Sequence, residues 1–383
     1  MTRRSNGFSA FRAPLPDPRF IPSLFLLVAL VGCAAGCKKS SPPPAASIRA
    51  ISQEIVFAAR NATGGRVEVG MRPAYAPGEP GKPQTLAYDD IYITIPLTRE
   101  GAPDRAAYAA IQDELARVAE FHHLERAARS GAPGLERFDY LAGGRRAQSL
   151  HLVTPFASAA RAASRQPRLA IVIDDLGHDR SQGDALFRLP YPLTLSVLPN
   201  LPFSGEIAEV AHRRGYEVLL HLPVASTSGE KDEPVELHPG MDSSAVDRTF
   251  SAMLETVPYA TGVNNHEGSR GTADPMLMNE VMALLHEHHL FFVDSRTTAA
   301  TVAETAAHLA GVPATSRKVF LDDEQSAGAI RKQLALAIQD ARKNGSALAI
   351  GHPHPETLQV LSDDLPQLGH KGVTLVFASE LVY

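Results

Sequence analysis

The sequence predicts an α/β fold in which parallel strands form a (β/α) barrel, preceded by a small α+β domain. Three observations carry this. From Arg168 onward, short apolar runs recur without the strict alternation of a half-exposed strand. Helical patterns separate most of them, as parallel crossovers require. About eight such units in roughly 215 residues suit a barrel better than an open sheet. No glycine-rich phosphate loop follows any of the runs, which disfavours a nucleotide-binding version.

The 383 residues leave room for two domains or one large one with additions. Residues 1–37 read as an export leader. Arg3, Arg4, Arg12 and Arg19 precede the apolar run "FIPSLFLLVALVGCAAGC", which is short for a membrane span and ends in small residues. Within it "LVGC" resembles the lipobox of bacterial lipoproteins. That implies lipidation at Cys33 and an exported, membrane-anchored protein facing the periplasm or cell exterior. "AAGC", ending at Cys37, is a second candidate, and an ordinary signal peptide or anchor helix is the competing reading. Both cysteines of the chain lie here, so the mature domains have no disulfide and no thiolate metal site.

Residues 38–47, "KKSSPPPAAS", read as a stiff solvated tether. Residues 48–157 form the small α+β domain. "SIRAISQEIVFAARNA" carries Ile48, Ile51, Ile55 and Val56 on one helical side, "DIYITIPL" alternates as a strand, and "DRAAYAAIQDELARVAEFHHLE" is helical. "PAYAPGEPGKPQ" reads as a loop. No catalytic pattern occurs in this domain, and His122 and His123 read as surface residues at a helix end. Residues 158–167 are small and polar and read as a linker to the barrel of residues 168–383.

The barrel strands are expected at "LAIVI", "LTLSVL", "EVLLHL", "TGVNN", "LFFVD", "KVFLD", "ALAIG" and "GVTLVFA". Chemistry in such a barrel collects at the carboxyl ends of the strands. The unusual polar residues fall there: Asp174 and Asp175, His221, His266, Asp294 and Ser295, Asp322 and Asp323, and His352 and His354. Aspartate at a strand end often only caps the next helix. Two adjacent aspartates closing a buried strand need a cation or a shared proton to offset their repulsion. Oxygen and imidazole donors without thiolates suit zinc, and less well manganese, iron or cobalt, in an open site that keeps a water. A non-ligating aspartate could take that water's proton, and a histidine across the site could protonate a leaving amine.

Other patterns are weaker. "HEHH" (286–289) lacks the second histidine of a zinc-protease HExxH, because Leu290 holds that position, and it reads as a helix cap. No GxSxG elbow is present, which disfavours a serine hydrolase. The net charge of −5 gives no support to a nucleic-acid partner. Without tryptophan, ring stacking on a sugar would fall to Tyr191, Tyr216 or Phe203.

The blocks "AIVIDDLG", "LTLSVLPN", "EVLLHLPV", "GVNNHEGS", "FFVDSRT", "VFLDD" and "AIGHPHPET" resemble, in this order, the divergent polysaccharide deacetylase family. It is a remote relative of the NodB-type carbohydrate deacetylases. The resemblance spans residues 167–383 and implies a distorted barrel of NodB-like type. It also implies a divalent metal, usually zinc, and hydrolysis of acetyl groups from sugars. Asp174 then matches the base, Asp175 a metal ligand and His352 the general acid, with His354 an alternative acid. The relatives carry a second histidine four residues after the first, where this chain has Ala225. His221 and His266 are therefore the expected imidazole ligands. Asn265, Ser269, Asp294, Ser295 and Asp322 are expected to line the substrate or brace the ligands. The implied substrate is an N-acetylated cell-envelope polysaccharide, peptidoglycan or another glycan. The competing reading is a non-catalytic envelope protein that binds glycan or acts as a scaffold on the same fold.

Overall fold

The computed structural model describes residues 45–76, 85–155, 166–227 and 235–383. The expected leader with Cys33 and Cys37, most of the expected tether and most of the linker lie outside them.

The first sheet is built from β1 (Glu68–Tyr75), β2 (Leu86–Thr94), β3 (Glu125–Ala132), β4 (Leu135–Ala142) and β5 (Arg145–Val153), in the order β1-β2-β5-β4-β3. Only β2 and β5 are parallel. Helices α1 (Ala45–Ala62) and α2 (Arg105–Phe121) accompany it. Helix α1 starts inside the stretch expected to be tether, because its buried positions Ile48, Ser52, Ile55 and Ala59 already follow helical spacing. Asp104 caps α2 by accepting from the Ala107 N–H. Strand β1 reaches into the expected loop as far as Tyr75. The hairpin strands β3–β5 carry arginines among their apolar residues, which hid them from a periodicity reading. One face of the sheet packs Ile91, Ile93, Phe138 and Leu150 against Ile55, Ile111 and Leu115 of the helices.

The second sheet alternates strands and helices: β6 (Arg168–Leu176), α3 (Arg180–Leu186), β7 (Thr194–Val197), α4 (Ser204–Arg214), β8 (Glu217–Val224), α5 (Ser243–Thr256), β9 (Gly262–Glu267) and α6 (Pro275–Glu287). It continues with β10 (Phe291–Asp294), α7 (Ala303–Leu309), β11 (Ala314–Ser316), β12 (Val319–Phe320), α8 (Ala327–Asn344), β13 (Ser346–Gly351), α9 (Pro355–Asp364) and β14 (Thr374–Val376). The order is β11-β10-β9-β8-β7-β6-β13-β12, all parallel, with β14 beside the start of β6. The sheet curls into a half-barrel. Its edge strands β11 and β12 are joined by Arg317 and Lys318 alone, with no ladder between them. Strand β11, Ala-Thr-Ser, has no apolar run and was not expected.

Alternate residues of each strand join different cores. Leu169, Ile171 and Ile173 of β6, Val218 and Leu220 of β8, and Phe292 of β10 pack with Val210, Phe250, Val281 and Ile338 of the surrounding helices. Ala170, Val172, Leu219, Val293, Leu348 and Ile350 form a separate cluster that fills the lumen. Burial on both faces is why these strands read as continuous apolar runs.

Candidate metal centre

Counting by twos from the apolar lumen residues leads directly to the site, because successive strand side chains face opposite sides. Val172 leads to Asp174, Leu219 to His221, Val293 to Ser295 and Ile350 to His352. Thr194 leads likewise to Ser196, and Gly262 to Asn264 and His266. The upper lumen is thus a polar layer resting on an apolar plug.

Asp175 has the wrong parity and should face the helices. Pairing between β6 and β7 slips at this point: Ile173 faces Leu195, whereas Leu176 faces Val197. The extra residue is a bulge, and Asp175 adopts φ 60°. This left-handed conformation is uncommon for a non-glycine residue and tends to mark functional sites. It turns two adjacent carboxylates into one cavity. Gly177 completes the turn at φ 131°, where an added Cβ would lie 3.0 Å from Ser204 Oγ and 3.2 Å from the Leu198 carbonyl.

Asp175 Oδ1 lies 3.1 Å from His221 Nε2 and 3.1 Å from His266 Nδ1. The two ring nitrogens are themselves 3.1 Å apart. The buried carboxylate oxygen stands at ion-pair distance from both imidazoles and in hydrogen-bond alignment with neither. Three donor atoms at such mutual spacing approach the ~3.3 Å edges of a tetrahedron with bonds of about 2.0 Å. One carboxylate and two imidazoles also match the donor types zinc takes in open sites. The residues fit a divalent transition-metal ion.

Asp174 is 3% exposed and sits beside this triangle, with its Oδ2 3.6 Å from His221 Nε2. Burial pushes its carboxyl pKa up, and the His221 charge only partly offsets that. Burial would raise Asp175 too, but the facing His221 and His266 hold it well below the usual carboxylate range. Burial would lower His221, and Asp174 and Asp175 outweigh it and raise the value. A bound cation reverses that balance, since ligation needs a neutral ring.

His352 stands across the site, its Nε2 3.6 Å from Asp175 Oδ2. Its Nδ1 is 3.0 Å from Asp322 Oδ1, and its backbone N–H donates to Asp322 Oδ2, which also accepts from Thr357. Against the lowering effect of burial, Asp322 first and then Asp175 and Asp174 raise the His352 pKa to about 9.

Other expected residues take different places. His354 begins α9 and contacts Gln325, with its ring 5.6 Å from that of His352. Asp294 has outward parity and accepts from the Arg296 N–H and Thr301, bracing its own loop. Asn265 ties β9 to β10 by accepting from the Ser295 N–H. Ser269 bonds to Ser226 and Thr227. Tyr216 is excluded from the cleft: it precedes β8, and its hydroxyl donates to the Leu186 and Leu189 carbonyls in the core. Tyr191 likewise precedes β7, at the end of the barrel away from the site. His122 caps α2 and pairs with Glu54, and His288 caps α6, as read from the sequence. Asn264, Ser196 and Arg317 were not anticipated. Arg317 donates to the Ser295 and Arg296 carbonyls and holds that loop down. Parity counted from His266 would have found Asn264.

A cavity of about 140 Å³ opens at the same strand ends, lined by His178, Leu198, Asn200, Leu201, Pro223 and Val235. Among the described residues no helix is long and apolar enough to cross a membrane.

The sequence profile of a family described as divergent polysaccharide deacetylase matches residues 171–382. An uncharacterised protein of Escherichia coli K12, YibQ, is 43% identical over 215 residues, which cover 56% of this chain and 67% of that protein. An uncharacterised protein of Haemophilus influenzae Rd is 40% identical over 203 residues, covering 53% and 72% respectively. Among solved structures, an uncharacterised protein from Agrobacterium tumefaciens C58 superposes with a TM-score of 0.55 at 25% identity. The match covers 58% of this chain and 91% of that one.

Proposed function

Because the chain belongs to the divergent polysaccharide deacetylase family, we propose that it is a zinc-dependent hydrolase that removes acetyl groups from an N-acetylated cell-envelope polysaccharide. The observation that carries this reading is the convergence of five side chains at one end of the lumen. Asp175, His221 and His266 form a ligand triangle, with Asp174 on one side and His352 on the other.

Zinc held by Asp175, His221 and His266 would polarise the acetyl carbonyl and acidify a water. Asp174 takes the proton of the attacking water. Its burial makes it a stronger base than an exposed carboxylate. His352, whose pKa Asp322 raises from the Nδ1 side, gives a proton to the departing amine. Asp322 orients that ring through Nδ1 and leaves Nε2 facing the cleft. The neighbouring cavity, with its Leu198, Leu201 and Val235 walls, is suited to an uncharged group of the sugar.

The test is acetate release from N-acetylglucosamine oligomers by purified protein, with metal content measured alongside. One zinc per chain and steady acetate release are expected. Asp174→Asn should keep the zinc and lose turnover by about 10²–10⁴-fold, the range for loss of a general base. Zinc without release from any acetylated glycan would instead favour a binding or scaffolding role. The leader sequence supports a membrane anchor through lipid on Cys33. Cys33→Ala should then abolish incorporation of labelled fatty acid, and persistent labelling would move the anchor to Cys37.

A further inference from the structure

We infer that Asn264 is a positioning residue that sets the tautomer of the ligand His221 and the orientation of the base Asp174 through a single side-chain amide. The inference rests on the metal-site reading above.

Asn264 is fully buried on the lumen face of β9. Its amide is used at both ends. The Nδ2 group donates to Asp174 at 2.9 Å from Oδ1 and 3.1 Å from Oδ2, and to Ser295 Oγ at 3.3 Å. Oδ1 accepts from Ser196 Oγ and lies 3.0 Å from His221 Nδ1.

Those partners decide which way the amide points. Flipped, it would set a carbonyl oxygen against the Asp174 carboxylate and an N–H group against His221. The first contact is repulsive, whereas the observed arrangement satisfies every hydrogen and lone pair that the amide offers. With Oδ1 facing the ring, His221 Nδ1 must carry a proton to donate. The lone pair of a neutral ring then lies on Nε2, the atom that faces Asp175 and His266. Histidine ligands depend on such a partner at the other nitrogen to fix the tautomer and ring orientation. Here the partner also holds the base. The logic runs from Asp174 through the amide to His221, so one residue aligns the ligand and the proton acceptor in a common frame.

Two variants separate these roles. Asn264→Leu keeps the branched shape and removes both functions. Asn264→Asp keeps an acceptor for His221 Nδ1 but opposes Asp174 with a second carboxylate. Zinc affinity, measured by chelator competition, should fall about 10–100-fold in Asn264→Leu, the usual cost of losing such a partner. In Asn264→Asp it should stay at or above the wild-type value while acetate release is lost. Circular dichroism and melting curves check that each variant is folded, and Asn264→Asp carries the test if Asn264→Leu is not. Equal zinc affinity in wild type and Asn264→Leu, or equal loss of affinity in both variants, would overturn the role of Asn264 and leave the metal site standing. Absence of zinc binding by the wild type would overturn both.

Discussion

Asp174 and Asp175 are neighbours in sequence, yet each reaches the cavity by a different route. Asp174 has lumen parity, whereas Asp175 arrives by a bulge and a left-handed backbone. Their environments then separate them: burial raises Asp174, and the paired imidazoles depress Asp175. Unlike surroundings on adjacent carboxylates suit the proposed division into one base and one ligand. Parity also explains which expected residues fell aside, since Asp294 and Asn265 face away from the lumen. At its other end the lumen holds Glu217, which accepts from Thr194 and from the Ser379 N–H. Burial raises its pKa above the ordinary value of 4.5. A raised folded-state value adds stability below the unfolded pKa, and that contribution is lost as pH rises through the folded pKa. Glu217→Gln should therefore melt above wild type at pH 8, and the difference should vanish by pH 4. Thermal melts across that range read the outcome.

Within elements, the decisive feature is the end of β6. A regular strand would send one carboxylate outward, and the bulge brings both inward at the cost of a strained φ. Gly177 makes this possible, because φ 131° strains any other residue and a Cβ there would crowd the Leu198 carbonyl. Gly177→Ala is expected to destabilise the fold by about 1–3 kcal/mol and to weaken zinc binding, since Asp175 sits two residues away. Denaturant titration and chelator competition on the same variant measure both effects. The adjacent aspartates and the following glycine are legible as letters. The bulge is not, because it is a mismatch between β6 and β7 and belongs to neither strand alone.

On the scale of the whole molecule, the two sheets belong to one compact unit joined through buried charge. Arg137 of β4 lies with its side chain fully buried, 2.7 Å from Asp184 of α3 and 2.9 Å from Glu206 of α4. Arg213 of α4 bonds Glu209 and reaches Thr94 of β2. Breaking such a pair strands its partner's charge, so Arg137→Met should cost about 3–5 kcal/mol. Adding Asp184→Asn should cost less than the sum of the two single changes, a coupling that a double-mutant cycle in urea would detect. Nothing in the local sequence marks these arginines as buried. Their burial depends on a sheet and a helix layer more than forty positions apart. The sequence by itself determined the alternation of strands and helices, the parallel α/β barrel class and the set of oxygen and imidazole donors at strand ends. Those features follow from local periodicity and from where apolar runs stop. Tertiary structure alone decided which donors share one cavity, that a bulge turns Asp175 into it, and that buried ion pairs join the first sheet to the second. Each of these depends on strand register and on contacts between distant segments, which no single stretch of chain encodes.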